Sequence, residues 1–160
     1  MNLGIYIDSL NNHDKLQHIE KLINDSTKDL DDASIFFNGI GPVPFVINCG
    51  IFNSTDLWNF HGSLVTTSLD NSFMACSIVN NIEIFYYYNW EEDKNTLKLI
   101  QLLNKNIKVI CRNQEDEENL FRLTGKKSLG ISENFNNIVN IILENSNGRF
   151  KNRKNVCRSA

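Results

Sequence analysis

Residues 63–88 read SLVTTSLDNSFMACSIVNNIEIFYYY and contain the pattern that most directly indicates the fold class. An apolar, β-branched run at 63–67 passes through a polar junction into a helical pattern that includes Phe73 and Ala75, and a second apolar run follows at 82–88. Strand, helix and strand in this order are typical of a βαβ unit with parallel strands. Because residues 82–88 are almost wholly apolar or aromatic, we expect that strand to be central and covered on both faces.

The rest of the chain continues this alternation of short apolar runs and helical patterns. The other predicted strands are at residues 3–7, 34–37, 44–49 and 107–111, with a short seventh strand at the edge at 127–131. The other predicted helices start near residue 14, after residue 93, at 114 and near 132–134, with a short helical segment at 53–60. This pattern predicts a single Rossmann-like α/β domain over residues 1–144, three layers thick, with a mainly parallel sheet of about six to seven strands.

Several helix ends carry recognisable capping residues. Asn12 is the predicted N-cap of the first helix, whose apolar residues Leu16, Ile19, Leu22 and Ile23 share one face. The remaining predicted caps are Ser54 or Thr55, then Ser68 or Asp70, then Gly125, and finally Ser132 or Asn134.

The charge of the chain is unevenly distributed. The net charge is −3, but the last twelve residues contain Arg149, Lys151, Arg153, Lys154 and Arg158 and no acid. Removing these five leaves 11 basic against 19 acidic residues, so the rest of the chain carries −8. An acidic body argues against a broad nucleic-acid-binding face. We expect residues 145–160 to form a basic, flexible tail, the one segment suited to nucleic acid or an acidic partner.

Composition and residue spacing also restrict the expected location, metal content and source of the protein. No apolar window reaches the ~18 residues of a membrane span, and no secretory signal is visible, so we expect a cytoplasmic protein. The four cysteines form no CxxC pair, and the three histidines lack metal-ligand spacing, so no metal and no cofactor is required by the sequence. The 25 Asn and 2 Pro are what codon bias in an AT-rich genome, such as that of a phage or a low-GC bacterium, would produce.

The candidate ligand site follows from the parallel sheet, because ligands bind beyond the carboxyl ends of the strands. The most suggestive post-strand turn is the junction that contains Thr67, Ser68, Asp70 and Asn71. Hydroxyls and free backbone N–H groups meet there at a helix N-terminus, which favours an anion such as a diphosphate. The alternative is that Ser68 or Asp70 simply caps the helix.

The turn after the first strand supplies two further candidate ligand-binding residues, Asp8 and Ser9. An acid in this position can hold a ribose, a metal or a catalytic water, or it can cap the first helix. The other post-strand turns of the same rim are 38–41, 89–93, 112–113 and 132–134. No catalytic residue is identified, since the chain has no nucleophile elbow and no P-loop. Tyr86, Tyr87, Tyr88 and Trp90 could stack a base or sugar, or belong to the core.

Residues 54–90 resemble the nucleotide-sugar-binding half of GT-B glycosyltransferases. The likeness lies in the turn and short helix at 54–58, the strand and junction at 62–68, Met74-Ala75-Cys76, and the strand that begins Ile82-Glu83-Ile84-Phe85. The resemblance implies that Thr67, Ser68, Asp70 and Asn71 contact a nucleotide sugar. It also implies a missing second domain, because a GT-B enzyme has two such domains facing one cleft.

Two hypotheses about function follow. The first is a nucleotide or nucleotide-sugar binding domain similar to a glycosyltransferase half, acting alone, as a homodimer or with a second subunit. The alternative is a non-enzymatic Rossmann-like module that binds a protein partner. The fold alone does not separate them, because this architecture supports many unrelated functions, and whether the chain is an enzyme stays open.

Overall fold

A computed structural model describes residues 1–146. The chain alternates strands and helices in the order that the sequence predicts, and it also contains two short 3-10 helices. The strands are β1 (Asn2–Ser9), β2 (Asp32–Gly39), β3 (Gly50–Asn53), β4 (Gly62–Thr66), β5 (Ile82–Tyr88) and β6 (Ile107–Cys111). The α-helices are α1 (His13–Asp25), α2 (Leu69–Cys76), α3 (Thr96–Leu103), α4 (Gln114–Thr124) and α5 (Ile138–Asn145), and the 3-10 helices are Ser54–Asn59 and Glu133–Phe135.

The six strands form one sheet, all parallel, in the order β3-β2-β1-β4-β5-β6. The order reverses between β1 and β4, where Leu3 pairs with Ser63 and Tyr6 with Thr66. Beyond β6, an isolated parallel bridge joins Cys111 to Ile131 where a short seventh strand is predicted. The predicted Rossmann-like parallel sheet is therefore confirmed, and its switch point lies between β1 and β4.

Alternate residues of each strand point to opposite faces of the sheet, and helices cover both of these faces. Helices α1 and α5 pack on the face that carries Ile5, Val65 and Phe85. Helices α2, α3 and α4 cover the other face, which carries Tyr86 and Tyr88. Strand β5 is buried on both faces from Ile84 to Tyr88, as its apolar sequence predicts.

The predicted third strand at 44–49 is wrong. Those residues are a loop, and β3 begins directly after them, at Gly50. Pro42 and Pro44 explain the difference, since proline has no backbone N–H to donate to a strand ladder. Val46, in the middle of the apolar run, is 78 % exposed.

Two helices also differ from the prediction in detail. In α3, the sequence predicts an apolar face of Leu97, Ile100, Leu102 and Leu103. The buried residues are Leu99 and Leu102, whereas Leu97 and Ile100 face outwards. The last helix begins only at Ile138, after the 3-10 helix Glu133–Phe135, and no side chain caps it. The predicted caps Asn12, Ser68 and Gly125 are confirmed, while Asn53, not Ser54 or Thr55, caps the first 3-10 helix.

Within residues 1–146, no helix combines the length and apolar character needed to cross a bilayer. The basic segment predicted as a flexible tail falls, from residue 147 onwards, outside the described residues.

Candidate functional site

A cavity of about 210 Å³ opens at the carboxyl ends of the strands, on the face of the sheet covered by α1 and α5. We call it the carboxyl-edge cavity. Its walls come from the start of α1, from the segments after β4, β5 and β6, and from the turn before α5. It therefore extends from the switch point towards β6, in the region where open α/β sheets bind their ligands.

Helix α1 contributes a cation to the cavity. Asn12 caps the helix by accepting a hydrogen bond from the backbone N–H of Lys15 at 3.1 Å. This cap fixes the first turn, so that Lys15 and His18, three residues apart, lie on one face and both line the cavity. The Lys15 side chain is only 17 % exposed, and its Nζ lies 3.6 Å from Oε2 of Glu92.

A second cation, Arg112, enters the cavity from the end of β6. Its Nη2 lies 3.4 Å from Oε2 of Glu91, and its Nε lies 3.5 Å from Oδ2 of Asp116. Asp116 is almost fully buried, and this burial raises its pKa, although a hydrogen bond from Trp90 N and the charge of Arg112 act in the opposite direction. The buried carboxylate of Asp116 therefore lies beside Arg112 and balances its charge without a hydrogen bond from Arg112 to Oδ2.

The ion pairs around these two cations are loose. Their nitrogen–oxygen distances of 3.4–3.6 Å exceed the roughly 2.7–2.9 Å of a charge-assisted hydrogen bond. Lys15 and Arg112 therefore retain donors that an incoming anion can use. Both donors lie inside one cavity and come from elements that are distant in sequence.

Two aromatic side chains close the inner end of the carboxyl-edge cavity. The rings of Tyr87 and Phe135 pack with their centroids 4.5 Å apart, and the Tyr87 hydroxyl donates a hydrogen bond to the carbonyl of Ser132. Burial raises the pKa of Tyr87 to about 12, so the phenol stays protonated and neutral at physiological pH. Asn134 and Phe135 both line the cavity with left-handed backbones, at φ 49° and 64°, which residues other than glycine seldom adopt.

Among the six predicted ligand-binding residues, Thr67 lines the cavity. Its hydroxyl donates a hydrogen bond to the carbonyl of Tyr6 at 3.1 Å. Ser68 and Asp8 lie close together, because the Ser68 hydroxyl donates to Oδ1 of Asp8 at 2.9 Å. The structure thus brings the ends of β1 and β4 together, as the switch point requires.

The other predicted residues make contacts within the protein. Asn71 is buried; its amide donates to the Tyr6 carbonyl and accepts a hydrogen bond from Asn38. Asp70 is exposed and pairs with Lys98 on α3. Ser9 accepts a hydrogen bond from the backbone N–H of residue 11 through its hydroxyl oxygen.

The N-terminus of α2, where the sequence suggests an anion site, already has partners for two of its amides. The N–H of Asn71 donates to the Ser68 hydroxyl at 3.2 Å, and the N–H of Leu69 lies 3.4 Å from Oδ1 of Asp93. Asp93 also accepts a hydrogen bond of 2.6 Å from the Tyr86 hydroxyl. Burial raises the pKa of Asp93, opposed by these hydrogen bonds.

Sequence reasoning did not single out Lys15, His18 or Phe135 as site residues. Arg112 and Asn134 do belong to the post-strand turns of the predicted rim, and the rule for open sheets is the signal that points to them. In the aromatic cluster, Tyr86 and Tyr88 are fully buried, and only Tyr87 lines the carboxyl-edge cavity. Within residues 1–146, no group of three or more His, Cys, Asp and Glu side chains could hold a metal ion.

A larger cavity, of about 470 Å³, opens beside β2 and β3 and is lined by Phe36, Phe52, Phe60, Asp32, Asp56 and His61, among others. It contains no Lys or Arg side chain and reaches Asp32 at the amino end of β2. The carboxyl-edge cavity is the better candidate, because it combines the position favoured in this fold with two cations.

No protein-family model, curated protein or solved structure matches this chain.

Proposed function

We propose that the chain binds a nucleotide or a nucleotide sugar, with the phosphate groups of the ligand held in the carboxyl-edge cavity. The observation that carries this proposal is the convergence of Lys15 and Arg112 on one cavity at the switch-point side of a parallel sheet. Arginine suits phosphate through its planar fork of donors, and lysine adds a compact charge.

The size of the cavity agrees with a phosphate site that extends to an open mouth. Sites for drug-sized ligands usually measure about 300–1,000 Å³. At about 210 Å³, the carboxyl-edge cavity takes part of a nucleotide, and the remainder would lie along the rim. Thr67 and Asn89 offer neutral polar contacts to that remainder. The resemblance of residues 54–90 to a glycosyltransferase half favours a nucleotide sugar as the ligand.

The test is a thermal-shift and calorimetric screen with UDP, GDP, UDP-glucose and inorganic pyrophosphate. A ligand at about ten times its Kd adds roughly 1.4 kcal/mol to the free energy of unfolding, which corresponds to a Tm increase of roughly 3–6 °C for a chain of this size. We expect Lys15→Gln to weaken binding roughly ten- to hundredfold, since it removes a charged hydrogen-bond donor.

The matched control is Lys21→Gln, which removes the same charge from an exposed position on the same helix. It is expected to leave affinity within about twofold, because exposed charges away from the site are screened by salt. Equal losses in Lys15→Gln and Lys21→Gln would show that binding reflects general charge. Absence of any shift with all four ligands would refute the proposal.

The second candidate function, a non-enzymatic module for a protein partner, is supported by one observation. Leu97 and Ile100 lie one helical turn apart on α3 and are 75 % and 39 % exposed, forming an apolar strip at the surface. It becomes the leading candidate if the ligand screen gives no binding.

A further inference from the structure

The two cations of the carboxyl-edge cavity are each paired with a glutamate from the same short segment. Glu91 and Glu92 are adjacent after β5, and they reach Arg112 and Lys15 respectively. The cationic side chains are 28 % and 17 % exposed, whereas the side chains of Glu91 and Glu92 are 74 % and 51 % exposed. The cation is therefore the more buried partner of each pair, although Glu92 and the exposed Asp14 also line the cavity.

This asymmetry decides which partner leaves when an anion arrives. An exposed carboxylate that turns away is at once hydrated, so it loses little, and pairs of exposed charges are weak in any case. The cap at Asn12 fixes the backbone of Lys15. The carboxylate of Asp116, 3.5 Å from Nε of Arg112, is nearly fully buried and cannot turn away into solvent as Glu91 can. The cations stay in place while the two glutamates can swing out.

The backbone that carries the glutamates is held independently of their side chains. The N–H of Trp90 donates to Oδ1 of Asp116 at 3.0 Å, and the N–H of Glu91 donates to Oδ1 of Asn89 at 3.1 Å. The N–H of Asp93 donates to the carbonyl of Asn89 at 3.0 Å. The side chains can thus leave the cations while residues 89–93 keep their fold.

We propose that the ligand group is a diphosphate that bridges Lys15 and Arg112, and that Glu92 and Glu91 are built-in competitors whose carboxylates occupy the places of its two phosphoryl groups. This inference rests on the proposed function and deepens it. One phosphoryl group replaces Glu92 at Lys15, and the other replaces Glu91 at Arg112. The inference requires that a single phosphate replaces only one of the two carboxylates, which the comparison with orthophosphate tests.

The experiment is calorimetric titration of inorganic pyrophosphate and of inorganic orthophosphate into the wild type, Glu91→Gln, Glu92→Gln and the double variant. Each single substitution removes one competing charge and is expected to tighten pyrophosphate binding roughly two- to fivefold, as expected for loss of an exposed ion pair. The two factors are expected to multiply in the double variant, because the two glutamates pair with different cations. For orthophosphate, the gain in the double variant is expected to match that of the better single variant.

The matched control is Glu118→Gln, which removes an exposed acid on α4 outside the cavity. Gains no larger than in this control, with pyrophosphate still bound by the wild type and lost in Lys15→Gln, would overturn the diphosphate inference and leave the proposed function standing. Equal multiplicative gains for orthophosphate would also overturn it. Failure of pyrophosphate to bind the wild type and every variant would overturn the diphosphate inference, and the proposed function falls with it only if UDP, GDP and UDP-glucose also fail to bind.

Discussion

At the scale of single residues, the carboxyl edge divides into two electrostatic environments. On the α1 side, Lys15 and Arg112 face a cavity, and on the α2 side Asp8 and Asp93 lie close to the capping hydroxyl of Ser68 or the first amide of α2. The sequence points to the second group, because a hydroxyl-rich junction before a helix is visible in one short stretch. The sequence does not reveal the pair Lys15 and Arg112, because these residues are far apart along the chain and come close only when the strands take their places in the sheet.

Asp93 provides a test of the α2 side through the pH dependence of stability. Burial raises the pKa of Asp93 in the folded protein above its ordinary value, so the unfolded chain loses this proton at lower pH than the folded protein does. Between the two pKa values, raising the pH therefore favours the unfolded state and lowers the free energy of unfolding. The deficit begins near the unfolded pKa and is complete above the folded pKa.

Asp93→Asn removes this titration and keeps an acceptor for the Leu69 N–H. Urea unfolding across the acidic range is expected to show the variant gaining on the wild type as the pH rises through that window, and then a constant difference. A difference between the two proteins that does not change with pH would show that the Asp93 pKa is normal. Glu118→Gln, at an exposed position, serves as the control for loss of a carboxylate.

At the scale of elements, the spacing of apolar residues predicts a helix or strand correctly where the sequence allows only one buried face. The face of α1 and the doubly buried strand β5 agree with the sequence. The apolar run at 44–49 predicts a strand that the structure does not contain, because Pro42 and Pro44 prevent regular strand pairing there. In α3, five of eight residues are apolar, so the sequence offers two possible faces, and packing against β6 selects Leu99 and Leu102.

The N-cap of α1 links an element's stability to the candidate site. Asn12→Ala removes the acceptor for the Lys15 N–H and is expected to lower the free energy of unfolding by roughly 1 kcal/mol. Asn24→Ala, at an exposed position near the end of the same helix, is the control and is expected to change little. Chemical denaturation measures both. If Asn12→Ala leaves stability unchanged, the cap does not stabilise the start of α1.

Strand β1 offers a second test at this scale. A Cβ atom added at Gly4 would lie 2.9 Å from Leu64 Cδ1 and 2.9 Å from Phe60 Cζ, which is closer than carbon atoms normally approach. We expect Gly4→Ala to cost roughly 1–3 kcal/mol by overpacking. Leu64→Val shortens one of the two obstructing side chains, so Gly4→Ala combined with Leu64→Val is expected to recover part of that loss in denaturant titrations.

At the scale of the whole molecule, the strand order explains how much of the site could be foreseen. The alternation of strands and helices predicts a parallel sheet, and the carboxyl-end rule then predicts a rim of several turns. Choosing among those turns requires knowing which strands are neighbours. Once the order β3-β2-β1-β4-β5-β6 is known, the segments after β4, β5 and β6 fall beside the start of α1.

The position of β1 in the middle of the sheet has a consequence for how the chain acquires its structure. Both neighbours of β1 come later in sequence, and β4 follows only after β2 and β3 have been passed. Until β4 docks, one side of β1 presents unpaired backbone groups next to Leu3 and Ile5, and such an open strand attracts other chains. We expect refolding from urea to be slow and to lose yield to aggregates as protein concentration rises, a trend that light scattering during dilution would record.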